Sequence, residues 1–154
     1  VIAVDIDLRR IVAWDGVADT VATMSAHPAD AGVAILKSLE GQDASERTVL
    51  IEVASPVDFA AGQQRRLAWA LWNIFAATTL DTMLAANGCA VLVCPSTIWT
   101  KRYPEAVRNK LVGPLPVKLN KRDEHDLQAC RAMLHFCWRD PAAWVPLAQY
   151  MQRL

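Results

Sequence analysis

The sequence has no run approaching the ~18 uninterrupted apolar residues of a membrane-spanning helix, and its start lacks the basic region and cleavage site of a secretory leader. Neither membrane insertion nor export is expected, and the protein is read as intracellular, whether in cytoplasm, nucleoid or organelle. Glycine is scarce at six residues, which form neither a Gly-x-Ser-x-Gly elbow nor a Gly-x-x-x-x-Gly-Lys phosphate loop. Serine-hydrolase and ATPase chemistry therefore have no motif to stand on. Cysteine is limited to Cys89, Cys94, Cys130 and Cys137, at spacings that match no zinc ribbon or finger. Three of the four lie in apolar periodic segments, so reduced core thiols are expected rather than disulfides. Net charge is absent too, 16 basic residues balancing 16 acidic ones. That excludes a uniformly cationic chain but not a local basic surface. At 154 residues and 53% hydrophobic content, the chain is the size of one domain, residues 1–154. It begins inside a strand-like run and without Met, which fits a trimmed start.

Four acids at three separated places carry most of what is present: Asp5, Glu52, and the pair Asp123 and Asp126. Asp5 closes the run Val1-Ile2-Ala3-Val4, and Glu52 closes Thr48-Val49-Leu50-Ile51, two stretches that read as buried strands. A carboxylate taken from water without a partner costs several kcal/mol or loses its charge, so two such strand ends side by side call for a cation. Asp123 and Asp126 open a periodic stretch through Leu127, Cys130, Met133, Leu134 and Cys137. Residues three apart on a helix share a face, so the two aspartates point together. Hard oxygen ligands from different elements suit Mg²⁺ or Mn²⁺. Each acid alone also reads as a cap or a surface charge; Asp123 in particular suits the first turn of a helix with or without metal.

The order strand-Asp, strand-Glu, then Asp-x-x-Asp at the start of a late helix resembles the RuvC family of Holliday junction resolvases, within the RNase H-like superfamily. The resemblance covers nearly the whole chain and carries Asp5, Glu52, Asp123 and Asp126 onto the four catalytic, metal-holding positions of that family. It departs from the family after Asp5, where Ile6-Asp7-Leu8 stands in place of Pro-Gly or a small residue, and Asp7 falls on the same strand face as Asp5. The resemblance implies a Mg²⁺- or Mn²⁺-dependent endonuclease using two ions about 4 Å apart, with Asp5 bridging them. It implies branched DNA, above all a four-way junction, as substrate, and a homodimer as the working form.

Other features fit this reading without requiring it. Residues 101–122 hold Lys101, Arg102, Arg108, Lys110, Lys118, Lys121 and Arg122 against one acid, Glu105, a basic tract leading into the last acid pair. Of these, Lys101, Arg102, Lys118, Lys121 and Arg122 are candidate phosphate contacts, although a solvated loop has the same composition. Phe59, in a loop expected after Glu52, is a candidate wedge between unstacked bases, or else a staple on the next helix. His125 reads as a proton relay or a solvent-facing histidine, and Trp99 as a stacking surface or a core cap.

The expected architecture is α/β: a five-stranded mixed sheet flanked by helices, of RNase H-like layout. It has three hairpin-linked strands, a helix over residues 28–40, a fourth strand over 47–54, a long helix from about Ala60 to Ala86 and a fifth strand over Cys89–Cys94. Two final helices are expected over Asp123–Arg139 and Pro141–Leu154. The long helix carries Leu67, Leu71, Ile74, Phe75, Met83 and Leu84 with Trp69 and Trp72, enough apolar surface for a core and a subunit contact. Other RNase H-like nucleases, a transposase catalytic domain and a non-catalytic nucleic-acid-binding module share this pattern.

Overall fold

The structure, a computed structural model, describes the backbone of residues 1–154 and every side chain except those of Arg102, Glu105, Ala106 and Arg108. Runs of β-branched and apolar residues form the strands: β1 (Ile2–Ile6), β2 (Ile11–Asp15), β3 (Thr20–Ser25), β4 (Thr48–Val53), β5 (Ala90–Pro95) and the two-residue β6 (Val145–Pro146). They form one mixed sheet of order β3-β2-β1-β4-β5-β6. The first three strands pair antiparallel, β1 runs parallel to β4 and β4 parallel to β5, and β6 closes antiparallel on β5. The sheet thus has six strands rather than the expected five. The sixth escapes pattern reading because two residues cannot display an alternation.

Helices cover both faces. On one side α1 (Pro28–Leu39), α3 (Gln64–Ala86) and α7 (Leu147–Met151) bury Ile35, Leu80 and Leu147 against Ile2, Val4, Ile51 and Val93. On the other, α4 (Ser96–Arg102) and α6 (Lys121–Arg139) pack Trp99, Leu127, Met133 and Phe136 over Ala3, Val12, Trp14 and Leu50. Burying each such side chain is worth about 1.5–3 kcal/mol, so these two layers dominate the favourable side of folding. The short α2 (Pro56–Ala60) and α5 (Glu105–Val112) complete the set.

Two expectations are corrected. The long helix does not begin near Ala60: α2 ends there, and Gly62, at φ 68°, turns the chain before α3 starts at Gln64. Residues 141–154 are not one helix but a short 3₁₀ turn, β6 and then α7. On α3 the sheet-facing stripe is Ala70, Ala76, Ala77, Leu80 and Leu84, whereas Leu67, Leu71 and Phe75 are exposed. Small residues let the first part of the helix approach the sheet closely, Leu80 and Leu84 fill the core further along, and Leu67, Leu71 and Phe75 are turned outward.

Candidate carboxylate site

The site begins with strand register. Val4 of β1 pairs with Ile51 of β4 in a parallel ladder, so the next residues, Asp5 and Glu52, stand side by side at the ends of neighbouring strands. Alternation sets their side chains on the face of Ala3 and Leu50, which is the face covered by α6. Helix α6 supplies the third part. Asn120 caps it, accepting a hydrogen bond from the Asp123 backbone N–H at 2.9 Å. Asp123 and Asp126 then share the buried side of the helix with Leu127 and Cys130, at 6% and 9% exposure.

Cys130 lies on the same buried side of α6. Burial pushes its thiol well above the ordinary cysteine range, and the negative charges of Asp5, Asp126 and Glu52, from β1, α6 and β4, push it further. Asp126 links them to the remaining acids. Its carboxyl is raised by burial and by the charge of Asp7, with a smaller contribution from Asp123, while His125 and Arg122 act in the opposite direction. Burial is the larger cause, and the neighbouring acids add to it.

Several groups missed by reading the sequence hold this arrangement from behind. On α3, Trp69 and Trp72 donate their indole N–H groups to the carbonyls of Ile6 and Asp7, each at 3.0 Å. One residue on, the buried Asn73 accepts from the Ala54 backbone N–H at 2.8 Å and donates to the Glu52 carbonyl at 3.0 Å. Tyr150 of α7 donates its hydroxyl to the Ala54 carbonyl. The ends of β1 and β4 are thus clamped by side chains from the opposite face of the sheet. From the acid side, the buried Trp99 donates its Nε1–H to Glu52 Oε2 at 2.6 Å. Trp99 is therefore a core residue that orients an acid, not an exposed stacking surface. The available signal was the presence of amide and indole donors at positions 69, 72 and 73, which share one helix face.

Two ion pairs cross the mouth of the site. Arg10 Nη1 lies 2.8 Å from Asp123 Oδ2, which also accepts from Asn120 Nδ2 at 2.8 Å. Arg122 Nη2 lies 2.6 Å from Asp7 Oδ2. Among the described residues no group of three or more His, Cys, Asp or Glu side chains is set to hold a metal ion. Asp7 and Asp123 are turned onto guanidinium groups.

The other candidates are dispersed. Lys101, Lys118, Lys121 and Arg122 are exposed, and the side chains of Arg102 and Arg108 lie outside the described residues. The tract is not the solvated loop its composition allowed: it contains α5 and the start of α6, and Gln128 and Arg131 bind the Gly113 carbonyl between them at 2.7 and 3.2 Å. His125 is exposed and lines a polar hollow with Asn109, Lys121, Glu124 and Gln128. Phe59 sits in α2 rather than in a loop, half-buried beside a hollow it shares with Pro56 and Leu154. The cysteines are unpaired with one another, three of them buried. No helix among the described residues is long and apolar enough to cross a membrane. Comparison with protein-family models, with curated proteins and with solved structures finds no match to this chain.

Proposed function

We propose that the chain is a metal-dependent endonuclease of RNase H-like fold that cuts branched DNA, with the four-way junction as its principal substrate. The single observation that carries this reading is the strand register that sets Asp5 and Glu52 side by side at two adjacent parallel strand ends, on the sheet face covered by α6 with Asp123 and Asp126 on its buried side. Three hairpin-linked strands followed by two parallel ones support the fold assignment. Asp5, Glu52, Asp123 and Asp126 would hold Mg²⁺ or Mn²⁺. Bound divalent ions supply neutralisation of charge at phosphorus and activation of water. Trp99 fixes the rotamer of Glu52, and the clamps on Ile6, Glu52 and Ala54 keep the two strand ends from splaying. Preorganisation of this kind limits the reorganisation needed at the moment of reaction. Exposed Lys101, Lys118, Lys121 and Arg122 lead toward the acids and would follow the phosphate backbone, with Phe59 as the wedge at an opened step. The exposed stripe Leu67, Leu71 and Phe75, at helical spacing on α3, would meet a second copy, and a twofold dimer suits a twofold junction.

The test is cleavage of a synthetic four-way junction beside linear duplex, flap and RNA–DNA hybrid substrates, in Mg²⁺, Mn²⁺ or EDTA. Paired nicks near the branch point, abolished by EDTA, are expected. Asp5→Asn should lower the rate by more than about a hundredfold, since even the outer partners of a metal ligand are worth up to that much. Junction binding and the folded state should survive that substitution. A second reading, a non-catalytic nucleic-acid-binding module, draws on the guanidinium groups that engage Asp7 and Asp123. Junction binding without nicks in any metal would favour it.

A further inference from the structure

From Leu67 to Ala86 of α3 the only charged residue is Asp81, half-buried and to one side of the outward face. A helix side left to water ordinarily carries charge. The outward row here is Leu67, Leu71, Phe75, Thr78, Thr82 and Ala86, all exposed, and Leu71 and Phe75 are more than half so. The two threonines add little polarity to it. Their hydroxyls are already satisfied, donating back to the carbonyls of Ile74 and Thr78 at 2.8 and 2.9 Å.

The row has an internal symmetry. Its steps are four, four, three, four and four residues, the same read from either end and centred between Ala76 and Ala77. Size is graded along it: the first three members are large and the last three small. Two copies laid antiparallel about that centre therefore set Leu67 over Ala86, Leu71 over Thr82 and Phe75 over Thr78, a large side chain on a small one at every level. Parallel copies would set large on large at one end and small on small at the other, splaying the helices. Charge agrees with the antiparallel choice. Helix α3 has no acid in its first turn and no base in its last, and the exposed Arg65 stands beside the positive end of its own macrodipole. Antiparallel pairing brings that arginine to the last turn of the partner helix, where free carbonyl oxygens favour a cation.

We infer that α3 pairs with α3 of a second copy, antiparallel and in this register, with the twofold axis passing between Ala76 and Ala77. This rests on the second-copy part of the proposed function and adds to it the direction and register of the contact; it involves neither the acids nor a metal ion. A twofold contact uses the same patch on both copies, so the patch must fit its own reversal. An unrelated partner would impose no such match, which is why the occupant is this chain itself.

The test is cross-linking. Wild type, Leu71→Cys, Thr82→Cys and the double variant are treated with a short bifunctional maleimide and resolved on denaturing gels, with sedimentation velocity of untreated wild type beside them. Both positions are exposed, and circular dichroism checks that each variant is folded. In the inferred register positions 71 and 82 face each other, whereas two copies of either position lie roughly 16 Å apart along the helices, beyond the reagent. Near-complete conversion to covalent dimer is expected from the double variant. Each single variant should give no more than the wild-type background from the half-buried Cys137. Covalent dimer above that background from either single variant means a parallel pair and overturns the register. No covalent dimer from the double variant, with wild type sedimenting as a dimer, overturns α3 as the contact and leaves the second-copy reading standing. Wild type sedimenting as a monomer removes that reading and this inference with it.

Discussion

Glu52 depends on a partner from outside the acidic set. The Trp99 indole holds one of its oxygens at 2.6 Å, so Glu52 is oriented before anything binds. Replacing Trp99 with Phe keeps most of the ring's packing and deletes the donor. On the proposed reading, in which Glu52 would hold a metal ion, Trp99→Phe should lower junction cleavage and Mn²⁺ affinity each by about tenfold, the lower range for losing an outer partner of a metal ligand. Comparing both readouts at a temperature well below the melting point separates this from simple destabilisation. At this scale the sequence was legible where chemistry and pattern coincided. Asp5 and Glu52 end β-branched runs, and Asp123 and Asp126 stand three apart at a helix start, so their placement on neighbouring strands and on one side of α6 followed from elementary geometry. Their counter-charges did not follow. Arg10 and Asp123 are 113 residues apart in sequence, and nothing local predicts which of 16 basic residues faces which acid.

Among the elements, α2 shows how a short helix is held in place. Ser55 and Asp58 form a capping box, with the Ser55 N–H and hydroxyl donating to Asp58 Oδ2 at 2.7 and 2.9 Å, and Arg66 of α3 donates to Asp58 Oδ1 at 2.7 Å. Burial alone would raise the Asp58 carboxyl, but Arg66 and the Ser55 donors outweigh it and hold the carboxyl below its ordinary value. A carboxyl with a depressed folded-state pKa contributes stability above its unfolded value near pH 4, and that contribution is lost as pH falls through the folded value. Asp58→Ala should therefore cost about 2 kcal/mol at neutral pH, read as a fall in melting temperature of about 4–8 °C. The difference from wild type should shrink below pH 4, because wild type then loses the same charge. Legibility at this scale was uneven for a physical reason. Alanine contributes little to an apolar pattern, yet Ala70, Ala76 and Ala77 face the sheet because they allow close approach, so the pattern did not show which apolar side chains of α3 face the core and which, like Leu71 and Phe75, face outward. Residues 96–112 showed no clean period, since Pro95 and Pro104 cut them into two helices shorter than the window in which a period emerges.

For the molecule as a whole, the outward face of α3 bears on assembly. Leu67, Leu71 and Phe75 form a continuous exposed apolar row, extended by the ring contact of Trp72 with Phe75 at 5.8 Å. If this row seats a second copy, Leu71→Lys with Phe75→Lys should convert a dimer to a monomer in sedimentation velocity. The thermal transition should shift by no more than about 2 °C beyond the loss of association, because neither side chain belongs to the buried core. A sedimentation coefficient that does not respond would remove α3 as the contact. At the far end of the sheet, β6 has a different consequence. Its two residues pair with Leu92 and Val93, covering the hydrogen-bonding edge of β5, an apolar strand from the middle of the core. An uncovered strand of that composition is a template on which another chain's backbone can add. With it closed, the open border of the sheet is β3, whose Thr20, Thr23 and Ser25 make a poorer seed for fibril growth than Val91, Leu92 and Val93 would. Val145 and Pro146 thus guard the fold against polymerising through its own central sheet.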